Sequence, residues 1–331
     1  MVTRKKFLKA IVSGTLLCLL AGSFIPEDVS AQSLPTIRFG RQTAAEENLW
    51  LMIAKPELAP HLGKTYNVEW GQFRASDAAF KALEADQVDI VSTNANSAIV
   101  ASAKGLDARI IASLSRETEA GAHTSYLVRE DGPRTIAELK GKTIGIVGYR
   151  TGVELWARQA LKTGGLNPDR DVSWAVLPFA ATADALRAGK IGAGATVDIF
   201  AIPELAKGDV RILFTSKTGV PFDEELIVIS AASKFLKKEP GAVRDFLSDM
   251  VQVNKYYLAN LDQARQALLD AKLVGLPPAV FMKLKDYKRD PDLRPSIEAI
   301  SKQQDVLVSA GFLDEKADIA KIVDVTFLGP K

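Results

Sequence analysis

The chain has 331 residues, 47% of them apolar and 25% charged, with 42 basic and 40 acidic side chains. That length exceeds what one hydrophobic core usually fills, so two lobes or domains are expected. The near-balance of charge leaves no basic footprint for nucleic acid, and the single cysteine, Cys18, excludes an internal disulfide.

Residues 1–31 read as a secretory signal peptide. Arg4, Lys5, Lys6 and Lys9 precede an apolar run from Ala10 to Leu20, and Val29-Ser30-Ala31 forms a small-residue cleavage site after Ala31. The run is too short to span a bilayer. Leu17 stands where a lipidated cysteine would need a small residue, so Cys18 is expected to be removed with the leader rather than lipidated. The leader carries four basic and two acidic residues, which leaves the remainder neutral and without a thiol.

Beyond it, strand-like and helix-like segments alternate. "TIRFG" at Thr36–Gly40 predicts a strand, residues 44–59 a helix with acids in the first turn, and "YNVEWGQF" a second strand. "ASDAAFKALEADQ" predicts a helix that Ser76 or Asp77 could cap. "VDIVST", "NSAIVASAKG" and "DARIIASLS" continue as buried strand, helix and strand. The rhythm restarts with "TSYLVRED" and "KTIGIVGY", then a helix over residues 151–163 that ends at Gly164-Gly165. It runs on through "VSWAVLPF", "ATADALRAG", "IGAGATVD", "IFAIPELAKG" and "DVRILFTS", and "ELIVISAASKFL" is read as one more strand. From Pro240 onward the pattern is helical, broken by Pro277-Pro278, Pro291 and Pro295. Such alternation favours βα units and mainly parallel sheets. The expected organisation is residues 32–125 as the first part of lobe 1, 126–226 as lobe 2, and 227–331 returning to lobe 1 with C-terminal helices. Ligands of open parallel sheets bind beyond the carboxyl ends of the strands, which here would line one cleft.

Catalytic signatures are missing. The only histidines, His61 and His123, are far apart, and there is no H-E-x-x-H, G-x-S-x-G or zinc-ligand spacing. "GKT" at Gly141–Thr143 lacks the first glycine of a phosphate loop, because Ile136 stands there, and it precedes a strand. The acids Asp223, Glu224 and Glu225 read as a solvated loop. No enzymatic activity, cofactor or metal is expected.

What remains is polar residues where strands give way to helices. Arg41, Gln42 and Thr43 follow the first strand; Ser92, Thr93, Asn94, Asn96 and Ser97 follow the third; "GYRTGVE" does the same in the second half. Helix N-termini offer free N–H groups and partial positive charge, which favour an anion. Each Ser, Thr or Asn there can equally be a cap. Arg150, between Gly148 and Gly152, either grips a carboxylate or sulfonate in a bidentate way or is solvated. Arg41 and Arg74 read as solvated or in surface ion pairs. Trp70 and Trp156 read as packing, whereas Tyr149 and Phe179 fit pocket and core equally.

The segments "ASDAAFKALEADQVDIVSTNANSAIVASAKGLDARIIAS", "IAELKGKTIGIVGYRTGVELWARQALKTGGLNPDRDVSW" and "LPFAATADALRAGKIGAGATVDIFAIPELAKGD" resemble, in order, the solute-binding proteins of ABC importers of the nitrate/sulfonate/taurine group. The wider fold family includes thiamine-pyrimidine synthases. The resemblance implies an α/β, two-lobed, type II periplasmic-binding-protein (venus-flytrap) fold, each lobe a mainly parallel sheet flanked by helices. It implies a monomeric periplasmic receptor that closes on a small organic anion, sulfonate or carboxylate, and delivers it to an inner-membrane ABC permease. Carried over position by position, ligand contacts fall on Gln42, on Thr93 and Asn94, on Tyr149, Arg150, Thr151 and Gly152, and on Asp198. Tyr149 and Arg150 depart from the small hydroxyl residue usual in that turn, which suggests an aromatic or larger cargo held by Arg150. A sensory solute receptor and a pyrimidine-forming enzyme are the rival readings; the enzyme type uses a cysteine-rich motif that the chain lacks.

Overall fold

The computed structural model describes residues 33–330, so the expected leader lies outside the described residues. Ten strands form two five-stranded sheets. They are β1 (Thr36–Arg41), β2 (Asn67–Gln72), β3 (Ile90–Asn94), β4 (Ala108–Glu117), β5 (Ser125–Arg129), β6 (Thr143–Ile146), β7 (Ser173–Val176), β8 (Ala193–Thr196), β9 (Val210–Thr215) and β10 (Glu224–Ala232). The first sheet has the order β2-β1-β3-β10-β4 and the second β7-β6-β8-β5-β9. The architecture is therefore α/β and two-lobed.

In each sheet one strand runs against the rest. β1 pairs parallel with β2 and β3, and β10 is antiparallel to both β3 and β4. β6 pairs parallel with β7 and β8, and β5 is antiparallel to β8 and β9. β5 and β10 are the first strands laid down after the chain changes sheet. Neither is reached by a crossover helix from its neighbour, so nothing forces them to run parallel.

Helices α1 (Glu47–Ala54), α2 (Ser76–Glu84) and α3 (Ala95–Ala103) follow strands of the first sheet, and α4 (Gly152–Thr163), α5 (Thr182–Arg187) and α6 (Asp198–Leu205) those of the second. The return to the first sheet carries α7 (Ser233–Lys238), α8 (Pro240–Ala259), α9 (Leu261–Asp270), α10 (Pro278–Phe281), α11 (Ile297–Ser309) and α12 (Ile319–Ile322). The run read as a single strand over 225–236 is thus strand and then helix: Ser233 opens α7, which the continuous apolar pattern conceals. The interior strand β10 is buried at all nine positions, and each of its large aliphatic side chains contributes about 1.5–3 kcal/mol by leaving water. α8 and α9 pack on α1, where Phe246 of α8 meets the rings of Phe39 and Tyr66 at 5.6 and 5.9 Å. Among the described residues no helix is long and apolar enough to cross a membrane.

Candidate functional site

A cavity of about 70 Å³ lies between the two lobes at the strand-to-helix turns. It has room for a few water molecules or one compact acid group. Gln42 and Asn94 reach it from the first lobe, and Thr151, Gly152 and Trp156 from the second. Two helix N-termini without side-chain caps open on it. Ala75 precedes α2 and Val197 precedes α6, and neither side chain can accept from the first-turn N–H groups, although the Val197 carbonyl accepts from Phe200 N at 2.8 Å and an acid, Asp77 or Asp198, sits in each first turn.

The side chain of Gln42 is the polar anchor of this wall. The residue is 9% exposed, and among the described residues its Nε2 has no hydrogen-bond partner. Behind it the backbone N–H of Gln42 donates to Ser92 Oγ at 3.2 Å, and Ser92 donates to Glu46. Trp50 Nε1 donates to the other oxygen of Glu46 at 2.8 Å. Burial pushes the Glu46 carboxyl up to about 7, and the two hydrogen bonds oppose that rise. Gln42 therefore stands on a fixed polar platform with a donor left over.

The one charged residue on the cavity wall is Arg74, in the turn between β2 and α2. It is exposed, and among the described residues no ion pair engages it. The sequence reads it as solvated or in a surface ion pair; it is exposed, and it also lies on the cavity wall. Its position one residue before the α2 N-cap is the signal that could have ranked it higher. Thr43, Ser76 and Thr124 add neutral polar groups to the wall, and its apolar part includes Val153, Phe179 and Leu226, with Tyr287 beside them.

The other expected site residues divide. Asn94 lines the cavity, and its Oδ1 caps α3 by accepting from Asn96 N at 3.1 Å. Thr151 also lines it and caps α4; its hydroxyl donates to Gly148 O at 2.8 Å and accepts from Glu154 N. Gly152 lets α4 approach Asn94 closely, since a Cβ there would sit 2.6 Å from Asn94 Oδ1. Thr93 is fully buried in β3 and is not part of the cavity wall. Tyr149 is 53% exposed and lies off the cavity.

Arg150 also points elsewhere. Its Nη1 donates to Gly311 O at 3.1 Å, just past the C-terminal end of α11, and its guanidinium lies 5.2 Å from the Phe312 ring centre. The backbone there is left-handed, with φ of 60°. Asp198 lines a separate, smaller cavity of about 20 Å³ beside Tyr287 and Lys285. Burial raises its carboxyl above the ordinary value, and His123 opposes that rise.

Behind Trp156 sits a buried charge cluster where a solvated loop was expected. Glu224 and Glu225 are 0% exposed. Trp156 Nε1 donates to Glu224 at 2.9 Å, and Lys217 Nζ bonds the same oxygen at 2.8 Å. Glu117, opposite Glu224 in the β4–β10 pairing, is 3.9 Å from that ammonium. Glu225 is paired with Arg116 at 2.6 Å. Charged residues at the start of an interior strand are invisible as buried until the long-range partners Arg116 and Lys217 are known.

Known proteins align with this chain along most of its length. A family model described as "ABC transporter, phosphonate, periplasmic substrate-binding protein" matches residues 57–273. An Escherichia coli (strain K12) protein named for binding aliphatic sulfonates is 26% identical over 303 residues, covering 90% of this chain and 89% of the relative. The crystal structure of the periplasmic aliphatic sulphonate binding protein from Escherichia coli superposes with a TM-score of 0.67 at 22% identity, over 88% of this chain and 98% of that one. The alkanesulfonate-binding protein from Xanthomonas axonopodis pv. citri, bound to MOPS, gives 0.71 at 21% identity, over 88% and 99%. The nitrate-binding protein of Synechocystis PCC 6803 gives 0.67 at 12% identity, over 89% and 87%.

Proposed function

This chain belongs to the family of periplasmic substrate-binding proteins of ABC transporters, and on that premise we propose that it captures a small organic anion, a sulfonate or carboxylate, between its two lobes. The observation that carries this reading is Gln42, a buried amide donor with no protein acceptor on the wall of a cavity whose only charged side chain is Arg74. A buried unpaired donor costs about 1–3 kcal/mol, a deficit that an incoming acceptor removes. The open N-termini of α2 and α6 add partial positive charge from both lobes. Nitrogen donors from two sides, on a wall of mixed polar and apolar residues, suit an acidic head on an organic body.

In this reading Gln42, Arg74, Asn94, Thr151 and Gly152 form the anion site. Thr93 supports it from within the sheet. Tyr149, Arg150 and Asp198 stand outside it, because the first two lie off the cavity and the third faces another. The lobe carrying β5 to β9 and the lobe carrying the other strands close on the ligand, and the closed monomer presents it to a membrane permease. The leader directs the protein to the periplasm and is cleaved from it.

The test is calorimetric titration of the leaderless protein with methanesulfonate, taurine, acetate, benzenesulfonate, methylphosphonate, nitrate and a neutral sulfone. At least one anion should bind, and Arg74→Ala and Gln42→Ala should each weaken it by about tenfold or more, the scale of a lost charge-assisted or buried hydrogen bond. Equal binding of the sulfone and its sulfonate counterpart would sink the reading.

A further inference from the structure

The anion cavity adjoins a larger chamber of about 480 Å³ that also lies between the lobes, and Thr43 and Phe179 form part of both walls. The chamber wall is mostly apolar with Thr43, Gln72 and Thr196 as neutral polar members, and it differs from the cavity in its charge. The second lobe contributes Phe179, Phe200 and Pro203, and the first contributes Leu273, Val274 and Leu276. Phe179 and Phe200 stand with ring centres 6.4 Å apart at 30°. The one charged residue on this wall, Glu204, is committed to Arg187 at 2.6 Å and Lys207 at 2.9 Å. No cation is left over on this wall, whereas the adjoining cavity holds Arg74 and the spare donor of Gln42.

The cavity fits an acid group and little more, and the apolar chamber is nearly seven times larger. We infer that the ligand is an anion carrying an apolar body at least as large as an aromatic ring, with its acid group at Gln42 and Arg74 and its body laid past Phe179 into the chamber. This inference rests on the proposed anion site. It assigns Phe200 and the segment Leu273 to Leu276 as the contacts that set selectivity for the body. Apolar surface from both lobes would be removed from water by one ligand, so body binding and lobe closure reinforce each other.

The experiment compares methanesulfonate, hexanesulfonate, benzenesulfonate and naphthalene-2-sulfonate by calorimetry on wild type, Gly275→Trp and Phe200→Ala. Gly275 lines the chamber, and a Cβ there meets no atom within 4 Å, so a side chain can start from this position into the chamber. In wild type, affinity should rise from methanesulfonate to the larger sulfonates, by about fourfold for each buried methylene equivalent. Both variants should lose at least tenfold of that gain while binding methanesulfonate as wild type does. If all four sulfonates bind wild type equally, or if both variants keep the full gain, the chamber is not the body site and the inference is overturned. If none of the four binds, the anion site itself fails, which is a separate result.

Discussion

Replacing Glu224 with glutamine should stabilise the unliganded protein at pH 8 and flatten its stability profile between pH 4.5 and 7. Glu224 and Glu117 face each other across β4 and β10, both fully buried, with Lys217 the ammonium nearest the two. Burial pushes Glu224 from its ordinary 4.5 up to about 7; Lys217 opposes the rise and the charge of Glu117 adds to it. At about 1.4 kcal/mol per pH unit, that rise corresponds to a penalty of at most about 3 kcal/mol when the group is ionised. The sign follows from proton binding. Below pH 4.5 the carboxyl is protonated folded and unfolded, so no penalty exists. Between 4.5 and about 7 the folded chain holds a proton that the unfolded chain has released, and stability falls as pH rises. Glutamine keeps an acceptor for Trp156 Nε1 and leaves Lys217 to Glu117. Glu46, raised to the same range by burial, gives a slope of the same sign that persists in the variant. Urea unfolding of both proteins at pH 5, 6, 7 and 8 should therefore give curves that diverge by up to about 3 kcal/mol at the alkaline end. Parallel curves would refute the account of Glu224 as the proton-holding member of the cluster.

Two further substitutions probe the interface between the lobes. Gly152→Ala places a methyl 2.6 Å from Asn94 Oδ1, so Asn94 must give up its cap on α3 or the lobes must part; anion affinity should fall about tenfold or more, and an unchanged Kd would show that the two walls do not need this approach. Arg150→Ala removes a cation from the carbonyls that follow α11 and from the Phe312 ring. Those contacts amount to about 1 kcal/mol, so stopped-flow release of the bound anion should quicken by about fivefold with the order of anion preference unchanged, whereas a changed order would return Arg150 to the anion site.

Apolar runs located most strands and helices, because interior strands bury both faces and carry continuous apolar stretches such as Leu226–Ile229, even where their ends are polar or charged. Direction was less legible. β5 and β10 reverse because of where the chain changes sheets, a property of the connections and not of residues 125–129 or 224–232 themselves. That Gln42, Asn94, Thr151 and Gly152 share one cavity wall was legible since each sits at a strand-to-helix turn, and such turns gather at one end of a mainly parallel sheet. Arg74 obeys the same rule but looked like surface, its strand being an edge strand with exposed positions. Tyr287 carried no local signal at all; it reaches the cavity from the segment between α10 and α11.

Arg150 is the instructive case, because its residue type and its position both pointed to an anion and its backbone did not. In the turn between β6 and α4 the chain passes through φ of 60° at this residue, a conformation that costs a non-glycine residue about 1 kcal/mol. Its N–H is held by Glu154 at 2.6 Å and its carbonyl accepts from Ser97 at 3.4 Å. With the backbone fixed on both sides, the side chain leaves away from the cavity and meets the carbonyl of Gly311. In the proposed reading the anion then falls to Arg74, to Gln42 and to the N-termini of α2 and α6. This division suits a receptor that must release its cargo. A fully buried guanidinium would hold an acid through desolvated ion pairing, whereas an exposed Arg74 with backbone donors from two lobes loses most of its grip once the lobes separate.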